Sequence, residues 1–219
     1  MKLIKQWVVA ALCFPMCAAC SGNGAQQSTQ QADSLSQDKQ ANQVIETIMS
    51  RRSIRKYKPQ PVGRDTMQLI LKCGINAPNA MNAQAWAVRV VDNPEFINGV
   101  TEIFKKKNPE AASDPNFKNM FRNAPTVAFI ASDTNSASSQ LDCGLLGENM
   151  VLAAWSMGIG SCCLGSPAGF LLNTPEAADY LKKLDFPEGY QLLYCIAFGH
   201  PDETPAAKPR DEQKVKFID

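Results

Sequence analysis

The run ASSQLDCGLLGENMVLAAWSM, residues 137–157, constrains the fold more than any other stretch of this chain. Leu141, Leu145, Leu146, Met150, Leu152, Ala153 and Trp155 leave little polar face, so the spacing predicts a central helix covered on most of its sides. Gly158-Ile159-Gly160 ends it. Other elements must be laid around such a helix, because an apolar surface that wide is unstable in water.

The surrounding pattern supplies those elements. Trp86 to Val91, Thr126 to Ala131, a short stretch through Cys162-Cys163-Leu164, and Tyr190 to Gly199 read as strands. Helical spacing of Val44, Ile45, Ile48 and Met49 predicts a helix from Gln43 to Arg51. Met67, Ile70, Leu71 and Gly74 predict a second over Arg64 to Ile75. Further helices are expected over 94–107, ending in Lys105 to Lys107, and over Pro175 to Leu184, with 77–84 a loop. The tail from His200 to Asp219 carries Pro201, Pro205 and Pro209, so it is expected to be extended and to wrap something. Interspersed helices and strands predict a mixed α+β sandwich, and the two arms suggest exchange with a second subunit.

At 219 residues with 45% hydrophobic content, the chain can bury one substantial core. The sole histidine, His200, makes a Ser-His-Asp triad or a multi-histidine metal site hard to build.

Residues 1–19 read as a targeting segment. Lys2 and Lys5 precede the uncharged stretch Trp7 to Ala19, which is too short to span a bilayer. It ends in Cys17-Ala18-Ala19-Cys20, which resembles the lipobox of bacterial lipoproteins, with Cys20 the residue to be acylated. The alternative is an ordinary signal cleaved after small residues. Residues 20–42 are biased to Gln, Ser, Asn and Gly, as a flexible tether is, and the body of the protein is expected over 43–219. Without Lys2 and Lys5, 20 of the 22 basic side chains face 21 acidic ones, a net charge of −1. Five cysteines then remain, Cys73, Cys143, Cys162, Cys163 and Cys195, mostly inside apolar runs where thiols serve as small hydrophobes. A redox pair of Cys162 and Cys163 would strain the bond between sequence neighbours.

Against that bland charge stands RRSIRKYK, residues 51–58, where Arg51, Arg52, Arg55, Lys56 and Lys58 surround Ser53. It reads as a solvated turn, a nucleic-acid patch or a phosphate pocket. A net-acidic mature chain disfavours nucleic acid. Arginine's paired donors with a short hydroxyl between them are a common way to hold a phosphate monoester.

The motif resembles the start of the bacterial nitroreductase family of flavin oxidoreductases, where Arg-Arg/His-Ser-x-Arg/Lys ends the first helix. The likeness continues through APNAMNAQAWAVRVV at 77–91, GENMVLAAWSMGIGSCCLG at 147–165 and FGHPDETPAAKPR at 198–210. Asn79 stands where the family has Ser, and Ala85 where it has Pro.

The resemblance implies a nitroreductase-like mixed sheet with a long central helix, in a domain-swapped homodimer that binds FMN. It places Arg51 and Arg52 at the phosphate, Ser53 at the phosphate or ribityl chain, and Arg55 towards the ribityl chain and pyrimidine edge. Lys208 and Arg210 return from the tail to the same phosphate, and Lys56 and Lys58 are left solvated. Backbone of Cys163, Leu164, Gly165 and Ser166 is implied near flavin N5, and Pro78, Asn79, Ala80 and Asn82 come from the partner subunit. No side-chain acid or base is implied, since the flavin carries the chemistry, and no metal is expected. The implied activity takes a hydride from NAD(P)H or another donor and passes it to a nitroaromatic, quinone or similar small aromatic acceptor. An envelope location poor in nicotinamide points to the alternative of a membrane-tethered FMN electron-transfer protein. A non-catalytic binding module is a third reading.

Overall fold

The computed structural model describes residues 42–218. The expected targeting segment, Cys20 and nearly all of the tether lie outside them. Among the described residues no helix is long and apolar enough to cross a membrane.

The body runs from Ile45 to Asp219. Helix α1 occupies 42–50 and is followed by the extended cationic segment. Then come α2 (Arg64–Ile75), β1 (Trp86–Val91), α3 (Pro94–Lys107), a short α4 (Pro109–Ser113), β2 (Thr126–Asp133) and α5 (Ser139–Ser156). Strand β3 (Gly160–Leu164), α6 (Ser166–Asn173), α7 (Ala178–Lys183) and β4 (Tyr190–Gly199) complete the order.

Local chemistry sets several of these boundaries. Asn93 caps α3 by accepting from Glu95 N at 2.8 Å, Pro94 opens the helix, and Lys105, Lys106 and Lys107 sit in its last turn, where cations suit the helix dipole. Two helices were not legible. α6 is only eight residues long, with Pro167 at its start and Gly169 inside, a composition that reads as loop. α4 is shorter still.

The strands lie in the order β1-β2-β4-β3, and every neighbouring pair is antiparallel. The sheet expected to be mixed therefore is not so among its four strands. β2 and β3 do run the same way, joined by α5, but β4 slots between them antiparallel to both. The parallel element is the bridge between Ser53 and Ser161.

Alternation along the strands divides the core in two. Val127, Phe129, Cys195 and Ala197 face one layer, packed with residues of α3, α6 and α7. Ala128, Ile130, Ile196 and Phe198 face the other, against α2 and α5. Phe129 meets Phe96 and Phe121 edge-on, at centroid distances of 5.8 and 5.6 Å. Full burial of Phe121 and of Phe129 contributes roughly 1.5–3 kcal/mol each.

α5 sits on the sheet as expected, with Leu146, Met150 and Ala154 buried. Its other side corrects the expectation of near-complete burial, because Leu141 is 66% and Leu145 37% exposed. Ile45, Ile48 and Met49 on α1 are exposed as well, as are Val215, Phe217 and Ile218 at the end of the tail. The tail is extended apart from a 3-10 turn at Glu212–Lys214, and does not bury these residues on its own chain.

Candidate functional site

The cationic segment leaves α1 and is strapped along the outer edge of β3. Ile54 N donates to Ser161 O at 2.9 Å, and the Ser53–Ser161 bridge runs parallel. Further on, Lys58 N donates to His200 O at 2.9 Å and Asp202 N to Lys56 O at 3.0 Å, with Tyr57 bridged to Pro201. Ile54 is buried at 1% and Tyr57 at 9% exposure, so these two residues, three positions apart, anchor the strap in the core, while Arg55, Lys56 and Lys58 are left outside. Gly160 and Gly199 make this close approach possible. A Cβ at Gly160 would lie 2.8 Å from Ile54, and one at Gly199 would lie 2.8 Å from Tyr57.

β3, bridged to the strap at Ser161, leads on into Cys163, Leu164, Gly165 and Ser166, and Arg51 is near enough to Cys163 to act on its thiol. Cys163, Gly165 and Ser166 are exposed and Leu164 is buried. Nothing lies within 4 Å of the place a Cβ at Gly165 would take. The two adjacent thiols point to opposite faces, Cys162 into the core and Cys163 outward, which leaves both free.

The cations differ in what they do. Arg51 is largely covered, at 24% side-chain exposure, and its Nε lies 3.8 Å from Glu148 Oε1 on α5. Arg52 turns back, Nη1 donating to the carbonyls of Met49 at 2.9 Å and Arg51 at 2.7 Å, and so closes the end of α1. Arg55 Nη1 donates to Ser53 O at 3.2 Å. The Ser53 hydroxyl makes no hydrogen bond among the described residues. Trp155 Nε1 donates to Ser50 Oγ at 2.9 Å and ties α5 to the residue before Arg51.

Among the described residues, the tail side chain that bonds to the strap is that of Glu203, whose Oε1 accepts from Arg55 N and from Lys56 N. Lys208 and Arg210 lie farther along the exposed tail, where Arg210 Nη1 donates to the carbonyls of Lys208 and Pro209.

Glu148, Glu203 and Tyr194 were missed by sequence reasoning. Each approaches the site from a segment remote in sequence, and no local pattern marks them. Tyr194 donates to Cys143 O at 2.7 Å, in space that exists because residue 147 is Gly. Burial raises the Tyr194 phenol, and Cys163, Cys143 and Glu148 raise it further. Withdrawal of water around the Cys163 thiol, then Cys162 and Glu148, pushes it up to about 11, with Arg51 pulling the other way. Cys163 therefore stays a neutral thiol near pH 7.

The loop 78–82 is held elsewhere on α5. Ala80 N donates to the Asp142 carboxylate, at 3.2 Å to Oδ1 and 3.4 Å to Oδ2, and Gln84 N donates to Asn79 Oδ1 at 2.9 Å. Met81, Asn82 and Gln84 have φ of 52°, 54° and 51°, each costing on the order of 1–3 kcal/mol for a non-glycine residue. Pro78 and Asn82 are exposed, and Met81 is 97% exposed.

A separate cavity of about 750 Å³ is lined by Lys56, Tyr57, Pro59, Asn119, Asn123 and Asp202 among others, and by none of Arg51, Ser53 or Cys163–Ser166. The amides of Asn119 and Asn123 in its wall are bonded to nearby backbone, so it offers a ligand less than the cluster does. No metal-binding cluster occurs among the described residues.

The sequence model of the nitroreductase family matches residues 48–200. The chain is 30% identical over 175 residues to an NADPH-flavin oxidoreductase of Vibrio harveyi, covering 77% of this chain and 70% of that one. It is 26% identical over 196 residues to an FMN reductase [NAD(P)H] of Bacillus subtilis, covering 80% and 72%. A nitroreductase with bound FMN from Desulfitobacterium hafniense superposes with a TM-score of 0.70 at 26% identity, covering 81% of this chain and 98% of that one. One from Bacteroides fragilis, also with bound FMN, gives 0.69 at 27%, covering 80% and 98%.

Proposed function

The chain belongs to the nitroreductase family, and from that premise we propose that it is an FMN-dependent NAD(P)H oxidoreductase reducing nitroaromatics, quinones or similar small aromatic acceptors. The observation that carries this reading is the strap of Ser53 on Ser161. It fixes Ser53, with Arg51 and Arg55 on either side of it in the chain, to the edge of the strand that leads into the open backbone of Gly165-Ser166.

The residues fit FMN. Arg51 keeps guanidinium nitrogens beyond the one facing Glu148, Ser53 has an unspent hydroxyl, and the missing Cβ of Gly165 leaves room for a flat ring. When bound, FMN supplies N5 as the atom that accepts a hydride and later gives it up. Arg51 and Ser53 would hold the phosphate and ribityl end, and Arg52, Lys208 and Arg210 would add positive charge there. Arg55 would stand towards the pyrimidine edge, where a cation would favour the reduced form. Cys163 to Ser166 would form a wall against which donor and acceptor are positioned in turn, displacing the water that now reaches it.

Each site takes Pro78, Asn79, Ala80 and Asn82 from a second copy. The exposed apolar residues of α1, α5 and the tail support this reading, since an obligate interface commonly covers more than ~2,000 Å² of mostly apolar surface. We further propose that acylation of Cys20 and the tether through residue 42 hang the 43–219 body on a membrane outside the cytoplasm. That location favours the second reading, an FMN protein passing electrons from a redox partner without nicotinamide turnover.

Purified protein from about residue 40 onward tests the proposal. It should take up FMN, identified after release by chromatography, and the bound flavin should bleach on addition of NADH or NADPH without oxygen. Bleaching by dithionite alone would select the electron-transfer reading. A colourless protein after FMN addition would overturn both.

A further inference from the structure

We propose that the buried carboxylate of Asp142 is the positioning residue that holds the 79–84 loop in the shape a second copy's FMN site requires. The inference rests on the reading that this loop completes a neighbour's site.

Asp142 is 2% exposed on α5, and no described cation lies within ion-pair distance of it. Its carboxylate accepts from Ala80 N alone among the described side-chain hydrogen bonds. A buried carboxylate so placed is costly unless the bond it makes matters. That bond reaches a loop whose backbone is left-handed at Met81, Asn82 and Gln84. Such a conformation persists only where the surroundings over-determine it. Local bonds close the turn, with Ala83 N on Ala80 O at 2.9 Å and Gln84 N on Asn79 Oδ1 at 2.9 Å, but they do not aim it. The aim comes from β1, which begins at Trp86, and from Asp142 on α5. Between these anchors the loop presents Met81, 97% exposed, and the exposed Asn82 outward. Glu148, six residues along α5 and about 9 Å farther up its axis, faces Arg51. One rigid helix thus frames the chain's own site and fixes what the chain offers its neighbour.

The test measures FMN affinity in dimeric protein. Asp142→Ala should weaken binding about ten- to a hundredfold, the effect of losing a charge-assisted bond. Asp142→Asn, which keeps an acceptor oxygen in place, should recover most of that loss. Should Asp142→Ala fail to fold, Ala80→Pro removes the same donor from the loop side, and should weaken binding to a similar extent. Mixed dimers of Asp142→Ala with Arg51→Ala should regain one normal FMN site in two, because the first subunit keeps its cluster and the second keeps its loop. Wild-type affinity in Asp142→Ala, no recovery in Asp142→Asn, or no regained site in the mixed dimers would overturn the inference. Failure of the wild-type control to bind FMN would overturn the proposed function, and this inference with it.

Discussion

Trp155 Nε1 donates a 2.9 Å hydrogen bond to Ser50 Oγ, joining the end of the central helix to the residue that precedes the cationic cluster. Trp155→Phe keeps the ring packing and deletes this bond. A neutral hydrogen bond contributes roughly 0.5–1.5 kcal/mol, so FMN affinity should fall about two- to tenfold. Titration by flavin fluorescence checks this, and an unchanged affinity would detach α5 from the placing of Arg51.

Arg51→Ala should weaken FMN binding more than Lys56→Ala. Arg51 is held against Glu148 with most of its surface covered, whereas Lys56 is exposed. The expected loss for Arg51 is roughly 1.5–3 kcal/mol. Parallel titrations decide the matter, and equal losses would dissolve the division into ligand and bystander.

The protein should sediment as a dimer across a wide concentration range. Phe217→Asp is the sharper probe, because this residue is 96% exposed on its own chain and a monomer would not register the change. Dissociation of the variant, with FMN lost alongside, is the expected result. A flavin-loaded monomer at micromolar concentration would count against the interface.

Gly147→Ala should destabilise the fold by about 1–3 kcal/mol. The added Cβ would come within 1.9 Å of Tyr194 Oη, which is held on Cys143 O. Denaturant titration reads the cost, and Tyr194→Phe should recover part of it.

Alkaline pH should destabilise the protein. Burial, then Asp142, pushes the Cys143 thiol from its ordinary 9.0 up to about 11. Between these values the unfolded chain has lost the proton and the folded chain keeps it. Stability is therefore whole below pH 9 and falls as pH rises through 11, by at most about 1.4 kcal/mol per unit for this thiol. Denaturation curves from pH 8 to 11 should show a shallower decline in Cys143→Ala.

What the sequence by itself determined was local. α2 runs from Arg64 to Ile75, α3 over 94–107, β1 from Trp86 to Val91 and β4 from Tyr190 to Gly199, as the spacing predicts, because period, caps and turn residues act within a few positions of one another. The cationic cluster stood out for the same reason, as a short motif, whereas 163–166 were named only through the family resemblance. Tertiary structure alone decided how these pieces meet. Ser53 pairs with Ser161, β4 enters between β2 and β3, Glu203 returns to the strap, and Asp142 receives Ala80. Each is a contact between segments far apart in the chain, selected by the burial of two sheet faces at once, and no short window of residues carries the energy that selects it.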